Sequence, residues 1–153
     1  MSHEYKQILF ICTGNSCRSV MAEYYTRKRL HDLKRYTITV ESAGTAASPL
    51  FKVPGVVIRI LRKDNIKFID HKPITVTEKM VEEADLILCM ETQHVQKLKI
   101  SYPKHGHKIH HISEFTRNQE KDILDPIGQN DFVYELCFKD IKKCIEELLQ
   151  KIQ

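Results

Sequence analysis

The sequence predicts an α/β domain in which a mostly parallel sheet of four strands carries helices on both faces. Two observations lead to this fold class. Short apolar or β-branched runs alternate along the chain with segments of helical spacing, a pattern typical of parallel sheets. The 153 residues are enough for one domain with its own hydrophobic core, and no linker or repeat divides them. We therefore predict a single three-layer domain over residues 1–153.

Four segments have the composition of strands. Residues 7–12 are almost continuously apolar, as expected of a parallel strand covered on both faces. Residues 36–42 alternate between threonine and aliphatic side chains, and the Ala43-Gly44 pair ends this second strand. The other two predicted strands cover residues 86–90 and 108–112.

Four further segments have helical periodicity. Residues 19–33 form the first predicted helix, the second begins near Pro54, and the third follows Thr75 or Thr77, either of which could cap it. The last helix is the clearest, because nine apolar or cysteine side chains form one stripe: Val133, Leu136, Cys137, Ile141, Cys144, Ile145, Leu148, Leu149 and Ile152. We expect this stripe, with its two cysteines, to lie in the core.

Charge and composition argue against several classes of protein. The net charge of +4 comes from Lys and Arg interleaved with Asp and Glu, without the dense basic tract of a nucleic-acid-binding protein. No apolar stretch reaches the roughly 20 residues of a membrane span, and the N-terminus lacks a signal-peptide pattern. The five cysteines are odd in number, which argues against a secreted disulfide framework. These features predict a cytoplasmic protein that binds neither nucleic acid nor membrane.

The loop between the first strand and the first helix carries the chemistry. It reads Cys12-Thr13-Gly14-Asn15-Ser16-Cys17-Arg18-Ser19. If the loop curls, its backbone N–H groups and the helix N-terminus form a site for a tetrahedral dianion, and Gly14 and Asn15 tolerate the positive φ of such a curl. These positive surroundings favour the nucleophilic thiolate at Cys12. Arg18 can bind two phosphoryl oxygens with its planar fork, and the Ser19 hydroxyl can stabilise the sulfur.

This loop resembles the Cys-x-x-x-x-x-Arg-Ser signature of the low-molecular-weight protein-tyrosine phosphatases. The resemblance continues in family order with Ser42-Ala43-Gly44-Thr45, His71, residues 84–90 and Asp125-Pro126-Ile127-Gly128. It implies a flavodoxin-like fold, also called phosphatase-I, and hydrolysis of phosphotyrosine phosphomonoesters through a phosphocysteine intermediate. It also implies no metal or other cofactor, a phosphorylated protein as partner, and a monomer or weak dimer.

The resemblance assigns roles to residues outside the loop. Asp125 would be the general acid that protonates the leaving group, a role that phosphomonoester cleavage requires. Ser42 and His71 would hold Asn15 in a strained conformation. The phosphate-binding residues would be Thr13, Gly14, Asn15, Ser16, Cys17 and Ser19. Cys17 could form a protective disulfide with Cys12 on oxidation, or it could be inert packing, and the sequence leaves both open.

Two related activities are alternatives on the same site. Ser16 and Ile127 stand where tyrosine phosphatases usually have a bulky aliphatic and an aromatic residue, and a small hydroxyl residue at the position of Ser16 resembles bacterial protein-arginine phosphatases. Arsenate reductases have a similar loop and a redox cysteine near the position of Cys89. Their mechanism needs a further cysteine about seven residues later, where this chain has Gln96. The aromatic wall that Ile127 does not supply could come from Phe51 or Tyr134.

Four histidines lie close together in the sequence and raise the possibility of a metal site: His105, His107, His110 and His111. No carboxylate or cysteine accompanies them at ligand spacing, and strand alternation directs the last two to opposite faces. We therefore predict a solvated loop and strand edge here, without a metal.

Overall fold

The computed structural model describes residues 4–117 and 121–152, and its centre is a parallel sheet. The strands are β1 (Gln7–Cys12), β2 (Thr39–Gly44), β3 (Leu86–Cys89) and β4 (Ile109–His111). They lie in the order β2-β1-β3-β4, and each neighbouring pair is parallel. The predicted fold class is confirmed.

Helices cover both faces of this sheet. They are α1 (Arg18–Asp32), α2 (Gly55–Lys63), α3 (Glu78–Glu83), α4 (Thr92–Ser101) and α5 (Asp131–Lys151). Two short 3-10 helices, Pro103–Lys108 and Ile112–Phe115, flank β4. Buried residues of α1, α2 and α5 share one hydrophobic cluster, and those of α3 and α4 share a second. The sheet therefore separates two cores.

The alternation of β1 explains why the strand reads as almost continuously apolar. Ile8 and Phe10 belong to the cluster with α1, α2 and α5, whereas Leu9 and Ile11 belong to the cluster with α3 and α4. All four side chains are 0% exposed. Burial of such side chains contributes about 1.5–3 kcal/mol each, so β1 anchors both layers. Its carboxyl end fixes Cys12 at the edge of the sheet where ligands bind in α/β folds.

The second strand differs from its prediction at both ends. The sheet pairs Gln7 with Thr39 and Cys12 with Gly44, so β2 begins three residues later than expected and continues through the Ala43-Gly44 pair. The pairing between the two strands begins at Gln7 of β1, so Tyr36 lies before the paired part of β2 and is 66% exposed.

Helix α4 is absent from the sequence prediction. It is short, and its segment offers a weak apolar pattern in which only His94 and Leu98 are buried. The other helices lie where predicted. The choice between the two possible caps of α3 falls on Thr77, whose side chain accepts a hydrogen bond from Met80 N.

The stripe of α5 is confirmed in most of its members. Cys137 and Cys144 are buried in the core with the aliphatic residues of the stripe. Leu136 is an exception at 44% exposure, because it lies at the margin of the buried face. Among residues 4–117 and 121–152, no helix is both long enough and apolar enough to cross a membrane.

Candidate active site

The sulfur of Cys12 lies at the bottom of the loop between β1 and α1. Cys12 is 2% exposed, and its Sγ is 3.0 Å from Ser19 Oγ. The backbone N–H of Asn15 donates to the same sulfur at 3.3 Å. Both groups can donate a hydrogen bond to a thiolate, which is the form that these contacts stabilise.

The loop backbone forms a cradle because three of its carbonyl groups point outward. The carbonyl oxygens of Cys12, Thr13 and Asn15 accept hydrogen bonds from Thr45 N, Ala46 N and His71 Nε2, each at 2.9 Å. A trans peptide directs its C=O and the following N–H to opposite sides. The N–H groups of Thr13, Gly14 and Ser16 therefore face the inside of the loop. Such a set of N–H groups at a helix start is suited to a phosphate.

Asn15 holds the tightest bend of this cradle. Its φ of 55° lies in the left-handed region, which asparagine tolerates better than most residues. The side-chain Nδ2 donates to Ser19 Oγ at 2.8 Å and to Ser42 Oγ at 2.9 Å. His71 Nε2 lies 3.1 Å from Asn15 Oδ1 in addition to its contact with the carbonyl. The structure thus brings Ser42 and His71 together around Asn15.

Two contacts of this network were not anticipated from the sequence. The backbone N–H of Ile74 donates to Asn15 Oδ1 at 3.0 Å. The hydroxyl of Ser42 donates to Glu23, a 4% exposed carboxylate whose other oxygen pairs with Arg27 one turn along α1. Ser42 therefore orients Asn15 while it satisfies a buried charge.

Arg18 begins α1 with its side chain directed back across the loop. It is 2% exposed, and its Nη1 donates to Glu91 Oε2 at 2.5 Å and to the carbonyl of Ile123 at 2.7 Å. Burial alone would raise the pKa of Glu91, but the hydrogen bond and charge of Arg18 lower it overall. Glu91 was missed in the sequence. The signal for it is its place just after β3, since β3 is the neighbour of β1 in the sheet.

Asp125 lies on a loop that is tied to the sheet before it reaches the site. Its side chain is 42% exposed, with Oδ2 at 3.8 Å from Arg18 Nη2 and Oδ1 accepting from Ile127 N at 3.0 Å. Two residues earlier, Ile123 N donates to the carbonyl of Met90 at 2.9 Å. The structure thereby brings the predicted acid to the arginine side of the cradle.

His111 corrects the prediction of a solvated histidine cluster. It is 8% exposed, and its Nε2 lies 2.8 Å from Asp122 Oδ1, which also accepts from Thr92 N at 2.9 Å. Burial alone would raise the pKa of Asp122, but the hydrogen bonds from Thr92 and His111 lower it overall. His111 is buried rather than solvated because β4 ends beside the loop that leads to Asp125, a tertiary contact that the local sequence does not indicate. The Nδ1 of His110, by contrast, lies 2.6 Å from Glu114 Oε2.

Cys17 and Cys89 are both free and buried. Burial raises the pKa of the Cys17 thiol to about 11 and also raises that of Cys89, which is 0% exposed. Both are therefore thiols at neutral pH.

Phe51 supplies the apolar wall beside the cradle. Two of its ring carbons lie 3.4 Å from the position that a Cβ on Gly14 would occupy, and the residue is 44% exposed. Tyr134 is 6% exposed and hydrogen-bonds the side chain of Cys17. Ile127, at 56% exposure, stands on the loop of Asp125. Of the two aromatic candidates, Phe51 is the one that combines contact with the cradle and exposure to a ligand.

The sheet approaches the cradle most closely at Gly44. A Cβ at this position would stand 2.3 Å from the carbonyl oxygen of Thr13 and 3.1 Å from Asn15 N. The absence of a side chain at Gly44 therefore allows the loop to lie against the end of β2.

The part of the chain that the structure describes contains no group of three or more His, Cys, Asp or Glu side chains arranged to hold a metal ion. The chemistry of the cradle is that of an anion site, with N–H donors and one guanidinium.

Comparison with known proteins identifies the class of this chain. The family described as low molecular weight phosphotyrosine protein phosphatase matches residues 7–153. Because the match covers nearly the whole chain, the protein belongs to this family and is a phosphatase.

The individual relatives include enzymes named for two different activities. A protein-arginine-phosphatase of Bacillus subtilis (strain 168) is 30% identical over 146 residues, which are 95% of this chain and 96% of the relative. The crystal structure of a low molecular weight protein tyrosine phosphatase from T. tengcongensis is 32% identical and has a TM-score of 0.89, covering 95% of this chain and 99% of that one. A YwlE arginine phosphatase mutant with a phosphorylated active-site serine is 29% identical, with a TM-score of 0.85 and coverages of 94% and 93%.

Proposed function

We propose that this phosphatase hydrolyses phosphotyrosine in proteins, with Cys12 as nucleophile, Arg18 as the phosphate-binding side chain and Asp125 as general acid. The observation that carries the proposal is the exposed ring of Phe51 against the cradle, because an aromatic wall suits an aryl leaving group. Cytoplasmic location is part of the proposal, since five free cysteines are typical of a reducing compartment. The chain would work as one catalytic domain.

The first step would transfer the phosphoryl group to sulfur. The Cys12 thiolate attacks phosphorus, the P–O bond to the tyrosyl oxygen breaks, and Asp125 gives its proton to that oxygen. The N–H groups of the cradle and Arg18 would bind the three equatorial oxygens. The contact between Ser19 Oγ and Cys12 Sγ at 3.0 Å supports a stabilised thiolate before attack.

The second step would return the enzyme to its starting state. Asp125, now a carboxylate, accepts a proton from a water molecule whose oxygen attacks the phosphocysteine. The P–S bond breaks, inorganic phosphate leaves, and the Cys12 thiolate is restored. The relative with a phosphorylated active-site serine supports a covalent phosphoenzyme in this family.

Phosphoarginine is a second candidate substrate, on a separate observation. Ser16 is 6% exposed, and its Oγ lies 3.7 Å from the position that a Cβ on Gly14 would occupy, so a hydroxyl stands beside the residue that Phe51 covers. The similarity to an arginine phosphatase over 95% of the chain supports the same alternative. A guanidinium can also stack on an aromatic ring. Arsenate reduction is disfavoured by the full burial of Cys89 and by Gln96.

A parallel assay separates the two substrates. Purified protein, reduced and free of metal, is incubated with phosphotyrosine and phosphoarginine peptides of the same flanking sequence, and Cys12→Ser is the control. We expect preference for phosphotyrosine, inactivity of Cys12→Ser toward both, and a loss of phosphotyrosine activity in Phe51→Ala that Phe51→Tyr restores.

Each result has a definite meaning. Preference for phosphoarginine, abolished in Ser16→Ile, would replace the substrate and make Ser16 the specificity residue. Retention of either activity in Cys12→Ser would refute the assignment of Cys12 as the nucleophile.

A further inference from the structure

His94 is a buried histidine that takes part in none of the proposed chemical steps. It lies in the first turn of α4 and is 2% exposed. Its Nδ1 accepts a hydrogen bond from the backbone N–H of Glu91 at 3.1 Å, and its Nε2 lies 2.8 Å from Thr13 Oγ1. A helix-start histidine thus contacts the phosphate loop across 81 positions of sequence.

The direction of the contact with Thr13 follows from the other ring nitrogen. A backbone N–H can only donate, so Nδ1 must present its lone pair to Glu91 N. In a neutral ring the proton then resides on Nε2, which donates it to Thr13 Oγ1. Burial, followed by the charge of Arg18, lowers the pKa of His94 to about 4, which agrees with a neutral ring at physiological pH.

Thr13 is consequently held from two sides. Ala46 N donates to its carbonyl oxygen at 2.9 Å from the β2 side, while His94 donates to its hydroxyl from α4. The peptide between Thr13 and Gly14 is one of those whose N–H faces the inside of the cradle. Its orientation decides where that N–H would meet a phosphoryl oxygen.

We propose that His94 is a positioning residue that fixes Thr13, and through it the Gly14 N–H, in the geometry that binds the phosphoryl group. The proposal rests on the proposed function, because it assigns His94 to the phosphate site of that reaction. His94 itself does not touch the reacting atoms.

Two substitutions at His94 separate its two hydrogen bonds. His94→Asn places an acceptor near the position of Nδ1 and keeps the contact with Glu91 N, but its side chain is too short to reach Thr13. His94→Gln places an N–H donor near the position of Nε2 and retains the reach to Thr13. Activity that is low in His94→Asn and recovered in His94→Gln would trace the effect to Thr13.

The test measures kcat/KM for a phosphotyrosine peptide and the inhibition constant of inorganic phosphate. We expect kcat/KM to fall about fivefold to tenfold in His94→Asn, the factor for loss of about one hydrogen bond. The inhibition constant of phosphate should rise by a similar factor, because the same N–H binds it. His94→Gln should lie within about twofold of the unmodified protein, since its hydrogen bond to Thr13 remains.

Substitutions at Thr13 complete the test without altering His94. Thr13→Val removes the hydroxyl, whereas Thr13→Ser retains it. We expect Thr13→Val to match His94→Asn and Thr13→Ser to be several times more active than Thr13→Val, because only the serine retains the hydroxyl that His94 contacts. In the Thr13→Val background, His94→Asn should cause no further loss, because the hydrogen bond is already absent.

Several results would overturn the proposal. They are an unchanged kcat/KM in His94→Asn, equal losses from His94→Asn with and without the Thr13 hydroxyl, and equal activity of Thr13→Val and Thr13→Ser. If His94→Asn does not fold, the pair at Thr13 decides alone. Failure of the proposed function would appear instead as activity in Cys12→Ser, while phosphate binding would still report on His94.

Discussion

Gly44 offers the sharpest test of how the sheet fixes the cradle. In Gly44→Ala the new Cβ would stand 2.3 Å from the Thr13 carbonyl oxygen and 3.1 Å from Asn15 N, and both of these are backbone atoms that cannot rotate away as a side chain can. Ordinary contacts of carbon atoms are about 3.5–4.0 Å, so the loop must move by roughly 1 Å or β2 must shift away from β1. Gly44 pairs with Cys12 in the sheet, and its N–H and carbonyl are both bonded to the 74–76 segment, which opposes the second response.

The expected result is a large loss of activity with a moderate loss of stability. Overpacking of this kind costs about 1–3 kcal/mol, whereas a displacement of roughly 1 Å at a reacting centre lowers the rate by about a hundredfold. Initial rates with p-nitrophenyl phosphate and urea unfolding measure the two quantities. Gly106→Ala is the matched control, because the nearest atom to its new Cβ is Lys99 Cγ at 3.8 Å.

The comparison between the two alanine variants can refute this reasoning. A Gly44→Ala protein that is folded and within about threefold of the control in kcat/KM would show that the position of the Thr13 carbonyl does not set the rate.

Three further predictions concern the charged groups around the cradle. Asp125→Asn should lower kcat by about a hundredfold or more for a phosphotyrosine peptide and less for p-nitrophenyl phosphate, whose leaving group needs less protonation; equal losses would contradict an acid role. Glu91→Gln should lower the free energy of unfolding by about 2 kcal/mol, because Arg18 loses a charged partner, and urea unfolding should detect this; an unchanged midpoint would show that the pair contributes nothing. The third prediction is a pH dependence of stability from His94, whose folded pKa of about 4 lies below its ordinary 6.5. Between these values the unfolded chain binds more protons, so stability falls as the pH falls from 6.5 to 4, by up to about 3 kcal/mol in total. His94→Asn should remove this part of the slope in urea midpoints across that range, and an identical slope in both proteins would refute the burial of a neutral ring.

The neighbours of His94 make this pH prediction specific. Arg18 opposes a positive charge on the ring, whereas Glu91 and Asp122 favour one, and the pKa falls because burial outweighs both carboxylates. The pKa values of Glu91 and Asp122 are themselves lowered, so their stabilisation is present above their ordinary range and is lost only at more acidic pH. The loss of stability from His94 therefore begins at a higher pH than the loss from these two carboxylates.

The sequence alone determined the fold class and the contents of the loop. Residues that act within one loop are contiguous, so Cys12, Asn15, Arg18 and Ser19 could be recognised from their spacing around a strand–helix junction. The periodicity of apolar residues predicted the strands and most helices, because burial of one or both faces of an element imposes a regular pattern of apolar positions. The boundaries of β2 could not be predicted, since they depend on which residues of β1 are available for pairing.

The family resemblance also pointed to Ser42, His71 and Asp125 around that loop, but the other residues that contact it were revealed only by the tertiary structure. Glu91 and His94 contact it from 73 and 81 positions away. Helix α4, which begins directly after Glu91 and contains His94, is too short and too polar to be predicted from periodicity. The structure also decided between the two aromatic candidates, because Phe51 contacts the cradle and is exposed whereas Tyr134 is buried. The close approach at Gly44 arises because parallel strands bring distant loops to one edge of the sheet. The spacing of residues within one loop can be read from the sequence. Contacts between different loops depend on how the strands that carry them pack, so they cannot.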